Sequence, residues 1–270
     1  MAARHADATA RNRMRLSLRS KTVGGLALMT LVGTALWAWP AAGTDQDAPQ
    51  AKDAPPGASA PDTPNAPIAQ THTRAARAIP GLSTEYRRQI PADSRQVLVV
   101  TGQGPDSHDS TVVLYTRAEG SQDWQPGATW PAHNAARGWT KDHHYGDLRS
   151  PEGVFTLTDA GGKLPAPEGT KLSYDRNDHF VARGTGIEGE PLGPAFDYVI
   201  AIDYNRVPGS SPLDPRRPEG EAKGGGVWLH VDHDGPTQGC VSLKPEAMRE
   251  LLRTLDPAQH PVIVMGPMGR

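Results

Sequence analysis

Short apolar runs, some continuous and some alternating with polar residues, recur along the chain from about residue 96 onward between clusters of glycine and proline. That is the pattern of β-strands separated by turns. Gln96 to Thr101 is a continuous apolar run closed by Gly102-Gln103-Gly104-Pro105, and Thr111 to Arg117 is rich in β-branched residues. Trp124 to Trp130, Val154 to Thr158, Tyr198 to Asp203 and Pro261 to Met265 also have strand composition. In Val227 to Val231 the alternation is explicit: Val227, Leu229 and Val231 share one face, Trp228 and His230 the other. Only one stretch has a clear helical period. Met248, Leu251, Leu252 and Leu255 fall at i, i+3, i+4 and i+7, with Pro245 and Glu246 suited to the first turn and Asp256-Pro257 closing it. The strands follow no repeating period, so the pattern predicts a mostly-β domain with one helix in its C-terminal half.

The first 80 residues read differently. Arg11, Arg13, Arg15, Arg19 and Lys21 precede an uncharged, mostly apolar run from Thr22 to Trp39, and the small residues Ala41-Ala42-Gly43 follow. This predicts an export segment over residues 1–43, either a cleaved signal peptide or a retained membrane anchor. Residues 44–80 are dominated by Ala, Pro, Asp, Gln and Thr, a composition that cannot bury enough apolar surface to offset chain entropy; it predicts an extended linker. The folded domain is expected over residues 81–270, outside the cytoplasm, either secreted or membrane-anchored.

Charge narrows the function classes. Residues 1–42 hold six of the 28 Lys+Arg and one of the 30 Asp+Glu, so the rest of the chain carries 22 cationic residues against 29 anionic ones, a formal −7. An acidic exported domain without a basic run is a poor nucleic-acid binder, and a monomer is expected.

The candidate chemistry lies in Gly224 to Leu243. This stretch holds the only cysteine of the 270 residues, Cys240, ten positions after His230 at the end of an apolar run. A free thiol has a pKa near 8.5 and attacks carbonyls as the thiolate, so it needs a neighbouring base. The polar turn Asp232 to Pro236 is expected to reverse the chain and return Gly239-Cys240 to the strand end beside His230. Cysteine as plain apolar packing is the competing reading, but an unpaired thiol in an exported chain favours the nucleophile. His233, in the Asp-rich turn, is the rival base; a surface role is expected there, and His230 is preferred because a strand positions it. Zinc ligation by His230, His233 and Cys240 lacks a fourth ligand, and His143-His144 reads as a solvated loop. No cofactor or metal is expected. Gly239 and Cys240 amides are candidate oxyanion donors. The loops Gly184 to Pro194 and Pro208 to Gly226 read equally as filler or as cleft walls, and Tyr174, Arg176, Arg183 and Tyr204 equally as substrate contacts or surface.

The strand-end histidine, the loop and Thr237-Gln238-Gly239-Cys240-Val241-Ser242-Leu243 resemble the active-site signature of the L,D-transpeptidase (YkuD-type) family, which reworks bacterial peptidoglycan through a catalytic cysteine. Ser150-Pro151-Glu152-Gly153-Val154-Phe155 is similar to that family's threonine-proline-x-glycine-x-phenylalanine strand. The resemblance spans about Val97 to Gly266 and implies the family's β-sandwich or barrel. It also implies acyl transfer on peptidoglycan stem peptides, in cell-wall cross-linking or remodelling, with Cys240 as nucleophile, His230 as base and Gly239 beside the oxyanion. Trp228, Thr237, Gln238 and Ser242 are the implied substrate contacts. The chain has His230-Val231 where the family commonly has His-Gly, Thr237-Gln238 where it has Ser-His, and Ser242 where an arginine or asparagine often stands. Its His-to-Cys loop is also shorter. Those differences bear on donor and acceptor preference, so hydrolysis by an L,D-carboxypeptidase or amidase, and a non-catalytic wall-binding module, remain as alternatives.

Overall fold

The computed structural model describes residues 77–267; the expected export segment and the linker up to residue 76 lie outside the described residues. Twelve strands and two α-helices follow one another: α1 (Thr84–Gln89), β1 (Gln96–Gly102), β2 (Asp109–Thr116), β3 (Gln125–His133), β4 (Trp139–Thr140), β5 (Ser150–Pro151), β6 (Gly153–Thr156), β7 (Asp159–Gly162), β8 (Ser173–Arg176), β9 (Val199–Ala201), β10 (Trp228–Val231), β11 (Val241–Leu243), α2 (Pro245–Thr254) and β12 (Val262–Gly266). Ten strands form one sheet in the order β6-β12-β1-β2-β3-β11-β10-β9-β7-β8, and β4 pairs with β5 separately. The mostly-β expectation holds, and the architecture is a single curled sheet. β6 and β7 are separated by only two residues yet occupy the first and ninth places in the order, so the sheet bends round until those places meet. Asp203, just after β9, closes the join: its N–H donates to the Thr156 carbonyl at 3.1 Å and its carboxylate accepts from Thr156 Oγ1 at 2.5 Å.

The core lies inside the curl. Leu98, Val100, Leu229, Val241, Leu243 and Ile263 meet Met248, Leu251, Leu252 and Leu255 of the α2 region, all 0% exposed. These four are the residues whose spacing predicts the helix, and burial of each contributes roughly 1.5–3 kcal/mol. β1 is apolar from Val97 to Val100 because both faces are covered. Leu98 and Val100 face α2, while Val97 and Val99 pack with Val262, Val264, Trp124, Ile79 and Leu82 on the other side. Ile79 is 2% exposed, so the end of the stretch expected as linker packs against the domain. Helix α1, which the periodicity does not predict, is six residues long and starts where Ser83 Oγ accepts from the Tyr86 N–H at 3.2 Å. Short strands β4, β5, β7, β8 and β11 were also absent from the hydrophobic pattern; β7 is Asp-Ala-Gly-Gly, which carries almost no strand signal.

One expectation about the central stretch needs correction. The chain does not double back to leave Cys240 beside the end of β10. It loops out and re-enters parallel, with Leu229 opposite Val241, His230 opposite Ser242 and Val231 opposite Leu243. Cys240 therefore lies level with Trp228, at the start of β10. A parallel return keeps both strands running into the covered side of the curl, where α2 packs on β10.

Candidate active site

Alternation along β10 divides its side chains as the sequence indicates. Val227, Leu229 and Val231 enter the main core, whereas Trp228 joins Phe180, Val199 and Ala201 in a second cluster that also touches Phe196 and Cys240. His230, 3% exposed, shares that side and lines a cavity of about 370 Å³ together with Cys240, His233, His143, Thr237, Gln238 and Gly239. Ala182, Gly186, Ile187 and Leu192 form part of its wall, as do Gly224, Gly225 and Gly226, so both long loops bound the cleft. The triple glycine suits that position. Gly224 and Gly226 have φ of 68° and 67°, and a Cβ on Gly225 would sit 2.2 Å from Arg217 Nε.

Cys240 is held by its backbone. Its carbonyl accepts from Thr237 Oγ1 at 2.7 Å and from Ser150 Oγ at 3.2 Å, and Ser150 Oγ in turn accepts from the Ala135 N–H at 3.0 Å. Ser150 opens the Ser-Pro-x-Gly-x-Phe segment, so the second motif of the sequence buttresses the first. The sulfur accepts from the Trp228 N–H at 3.4 Å and donates to the Gly226 carbonyl at 3.6 Å. Burial pushes the thiol up to about 11, against the Trp228 N–H, which favours the thiolate.

His230 is oriented by a backbone carbonyl. Its Nδ1 lies 2.9 Å from Val231 O, which sets the proton on Nδ1 and leaves Nε2 as the acceptor. Burial drives its pKa down to about 4, with the neighbouring His233 adding to the shift. Thiol and imidazole are thus both neutral at ordinary pH. Asp232, the other candidate orienter, points elsewhere: its carboxylate accepts from Ser242 Oγ at 2.9 Å and lies 2.9 Å from His133 Nδ1. Burial alone would raise that carboxyl, but these partners and Lys244 hold it well below the usual carboxylate range.

The expected site residues take up different places: Thr237 and Gln238 line the cavity, and Trp228 and Ser242 do not. Trp228 is 9% exposed and packs edge-on against Phe180 and Phe196, beneath the cleft rather than in its lining. Ser242 is fully buried on Asp232. Thr237 lines the cavity but its hydroxyl is engaged by the Cys240 carbonyl, while Gln238 is exposed at the rim. His233 is no surface residue. It is 8% exposed, stacks on His230 with ring centroids 5.7 Å apart, and has Nδ1 3.0 Å from Glu190 Oε1. The pair His143-His144 divides: His144 is exposed, but His143 is 7% exposed and lines the cleft, with Nδ1 3.0 Å from Asp147 Oδ1. Sequence reasoning missed it because adjacent histidines in a polar loop carry no periodicity; the carboxylate four residues on was the available signal. Tyr204 touches His143 edge-on at 5.4 Å and Tyr174 donates to Leu164 O at 2.9 Å; neither they nor Arg176 and Arg183 line the cavity.

Among the described residues, one group of three potential metal ligands converges, His108, Asp109 and His133, with ligating atoms within 4.8 Å of one another. It stands on the β2–β3 pair and shares no residue with the cleft lining. His230, His233 and Cys240 form no such group.

His230 and Cys240 open into one cleft, as the resemblance implies for a base and its nucleophile, and comparison with protein families decides the family. The model of the YkuD L,D-transpeptidase catalytic domain matches residues 94–264, more than half of the chain. The chain belongs to this family. No curated protein matches it closely enough to add a more specific relative. The matched span of the L,D-transpeptidase domain begins just before β1 and ends within β12, so it takes in every strand of the curled sheet and the whole cleft.

Proposed function

We propose that this L,D-transpeptidase domain performs cysteine-dependent acyl transfer on peptidoglycan stem peptides, outside the cytoplasm. The observation that carries the reading is the shared cleft of Cys240 and His230, with His230 Nδ1 tied to Val231 O. Because both groups rest neutral, the thiol proton moves to His230 Nε2 as sulfur attacks the donor carbonyl; no preformed ion pair is needed. The Cys240 N–H, with the Gly239 N–H now held loosely by Thr237 Oγ1 at 3.3 Å, supports the developing oxyanion. Collapse breaks the C–N bond, and His230 returns its proton to the leaving amine. The resulting thioester is then taken by an acceptor amine, which completes transfer, or by water, which completes hydrolysis. The export segment and linker would hold this domain in the wall, anchored or free.

The test is intact-mass detection of a covalent adduct on the full chain after exposure to a tetrapeptide stem or a carbapenem. An adduct on wild type that Cys240→Ser lacks, with the variant still folded, supports the mechanism. Absence of an adduct, with Cys240 inert to thiol reagents, would leave a binding module. Product analysis with and without an amine acceptor separates transferase from carboxypeptidase or amidase.

A further inference from the structure

Of the three histidines that line the cleft, His230 serves the acylation step, which leaves His143 and His233 without a task. His143 comes from the loop between β4 and β5, remote in sequence from both β10 and Cys240, yet it reaches the glycines on either side of the nucleophile's pocket. A Cβ on Gly224 would lie 3.3 Å from His143 Nε2, and one on Gly239 would lie 3.6 Å from Cε1 and 4.0 Å from Nε2. Its ring is held against Tyr204, whose hydroxyl donates to the His143 carbonyl at 3.3 Å and to Lys223 O at 3.0 Å. On the far side of the ring Nδ1 stands 3.0 Å from Asp147 Oδ1, and Asp147 is itself fixed by the N–H groups of His144 at 2.9 Å and Arg149 at 2.8 Å. A bare Nδ1 lone pair at that distance from a carboxylate would be repelled, so the proton resides on Nδ1 and Nε2 is left basic. The pKa of His143 is lowered by burial, with Asp147 and the Arg149 carbonyl opposing, so the ring is available as a neutral base.

We propose that His143, positioned by Asp147, is a second acid–base centre that serves the acceptor half of the reaction: it binds and deprotonates the incoming primary amine or water that resolves the thioester. The proposal rests on the acyl-transfer reading and assigns the two halves to different histidines. In the first half His230 Nε2 takes the thiol proton and returns it to the leaving amine. In the second, the acceptor's N–H or O–H proton passes to His143 Nε2 as its lone pair forms the new bond to the thioester carbon; the C–S bond breaks and the thiolate is reprotonated from His143. Each half then begins and ends with both imidazoles neutral. The role goes to His143 rather than His233 because His143 is the histidine that stands against Gly239, whereas the His233 ring runs parallel to His230 with centroids 5.7 Å apart. The loop histidine also accounts chemically for the amide at Gln238, because the imidazole that relatives carry next to the nucleophile is supplied here from another element.

The experiment follows formation and decay of the acyl-enzyme by quenched-flow intact mass, using a tetrapeptide stem as donor and an amine acceptor or water. His143→Gln is expected to form the adduct within about threefold of wild type and to release it about 100-fold more slowly, so that the adduct accumulates, the scale of a lost general base. His143→Asn, whose side-chain amide can still donate to Asp147, should show the same split if the glutamine variant folds poorly. In the wild type, 15N shifts of His143 should report a protonated Nδ1 and a bare Nε2. Release within threefold of wild type, equal slowing of both halves, or the opposite tautomer would overturn the proposal. A wild type that forms no adduct at all overturns the acyl-transfer reading, and this role with it.

Discussion

The Trp228 N–H points at Cys240 Sγ across 3.4 Å and favours the thiolate, yet burial outweighs it and the thiol pKa stands near 11. With His230 near 4, the resting pair carries no charge between those limits. Iodoacetamide labelling of native protein is therefore expected to climb through pH 8.5 without levelling there, as a free thiol would. The acid limb of kcat/KM should fall near pH 4, where His230 becomes protonated and can no longer accept. Labelling at pH 7 should slow more in His230→Ala than in His233→Ala. A labelling plateau near neutrality would show a preformed ion pair instead.

The same burial makes His230 a pH-dependent element of stability. Its pKa is depressed from 6.5 to about 4 on folding, so the unfolded chain takes up a proton first as pH falls, and stability drops between those two values. A shift of that size corresponds to about 3 kcal/mol. His230→Gln should remove this slope, read as the difference between the urea midpoints of variant and wild type across the window. His133 does not interfere: hydrogen bonding to Asp232 raises its pKa, so its contribution is lost only as pH rises above 6.5.

Gln238 lies exposed at the rim of the cleft, where a neutral amide can hydrogen-bond but cannot carry a proton. Gln238→His is expected to leave the acylation rate within about tenfold, roughly 1.4 kcal/mol in barrier, and to change mainly the partition of the thioester between amine and water. Pre-steady-state acylation rates check this. A wild type nearly inert and activated by the substitution would instead assign an essential proton path to this position.

Arg206 carries the join of the curled sheet. Its Nη1 lies 2.9 Å from Asp159 Oδ2 and also contacts Asp203, and all three side chains are at most 4% exposed. Burial raises the Asp203 pKa, with Thr156 and Arg206 working against it. Arg206→Met would strand two carboxylates away from water and should cost about 3–5 kcal/mol. Chemical denaturation measures it, and a loss below 1 kcal/mol would mean that water already reaches the cluster.

Periodicity alone determined a good deal here. The 3.6-residue spacing of Met248, Leu251, Leu252 and Leu255 and the alternation of Val227 to Val231 are local consequences of backbone geometry, so helix α2, strand β10 and the side of β10 that carries His230 were legible. The lone cysteine and its nearby histidine were legible too, because reactive residue types are scarce. What only the tertiary structure decided depends on contacts between distant segments. Parallel pairing of β10 and β11 is set by packing against α2 and β3, which no turn sequence encodes. Trp228 and Ser242 passed from expected substrate contacts to buried support because neighbours cover them. His143 moved the other way, from a polar loop into the cleft, since a side chain's burial is fixed by what folds over it, here the glycines of Gly224 and Gly239 and the ring of Tyr204.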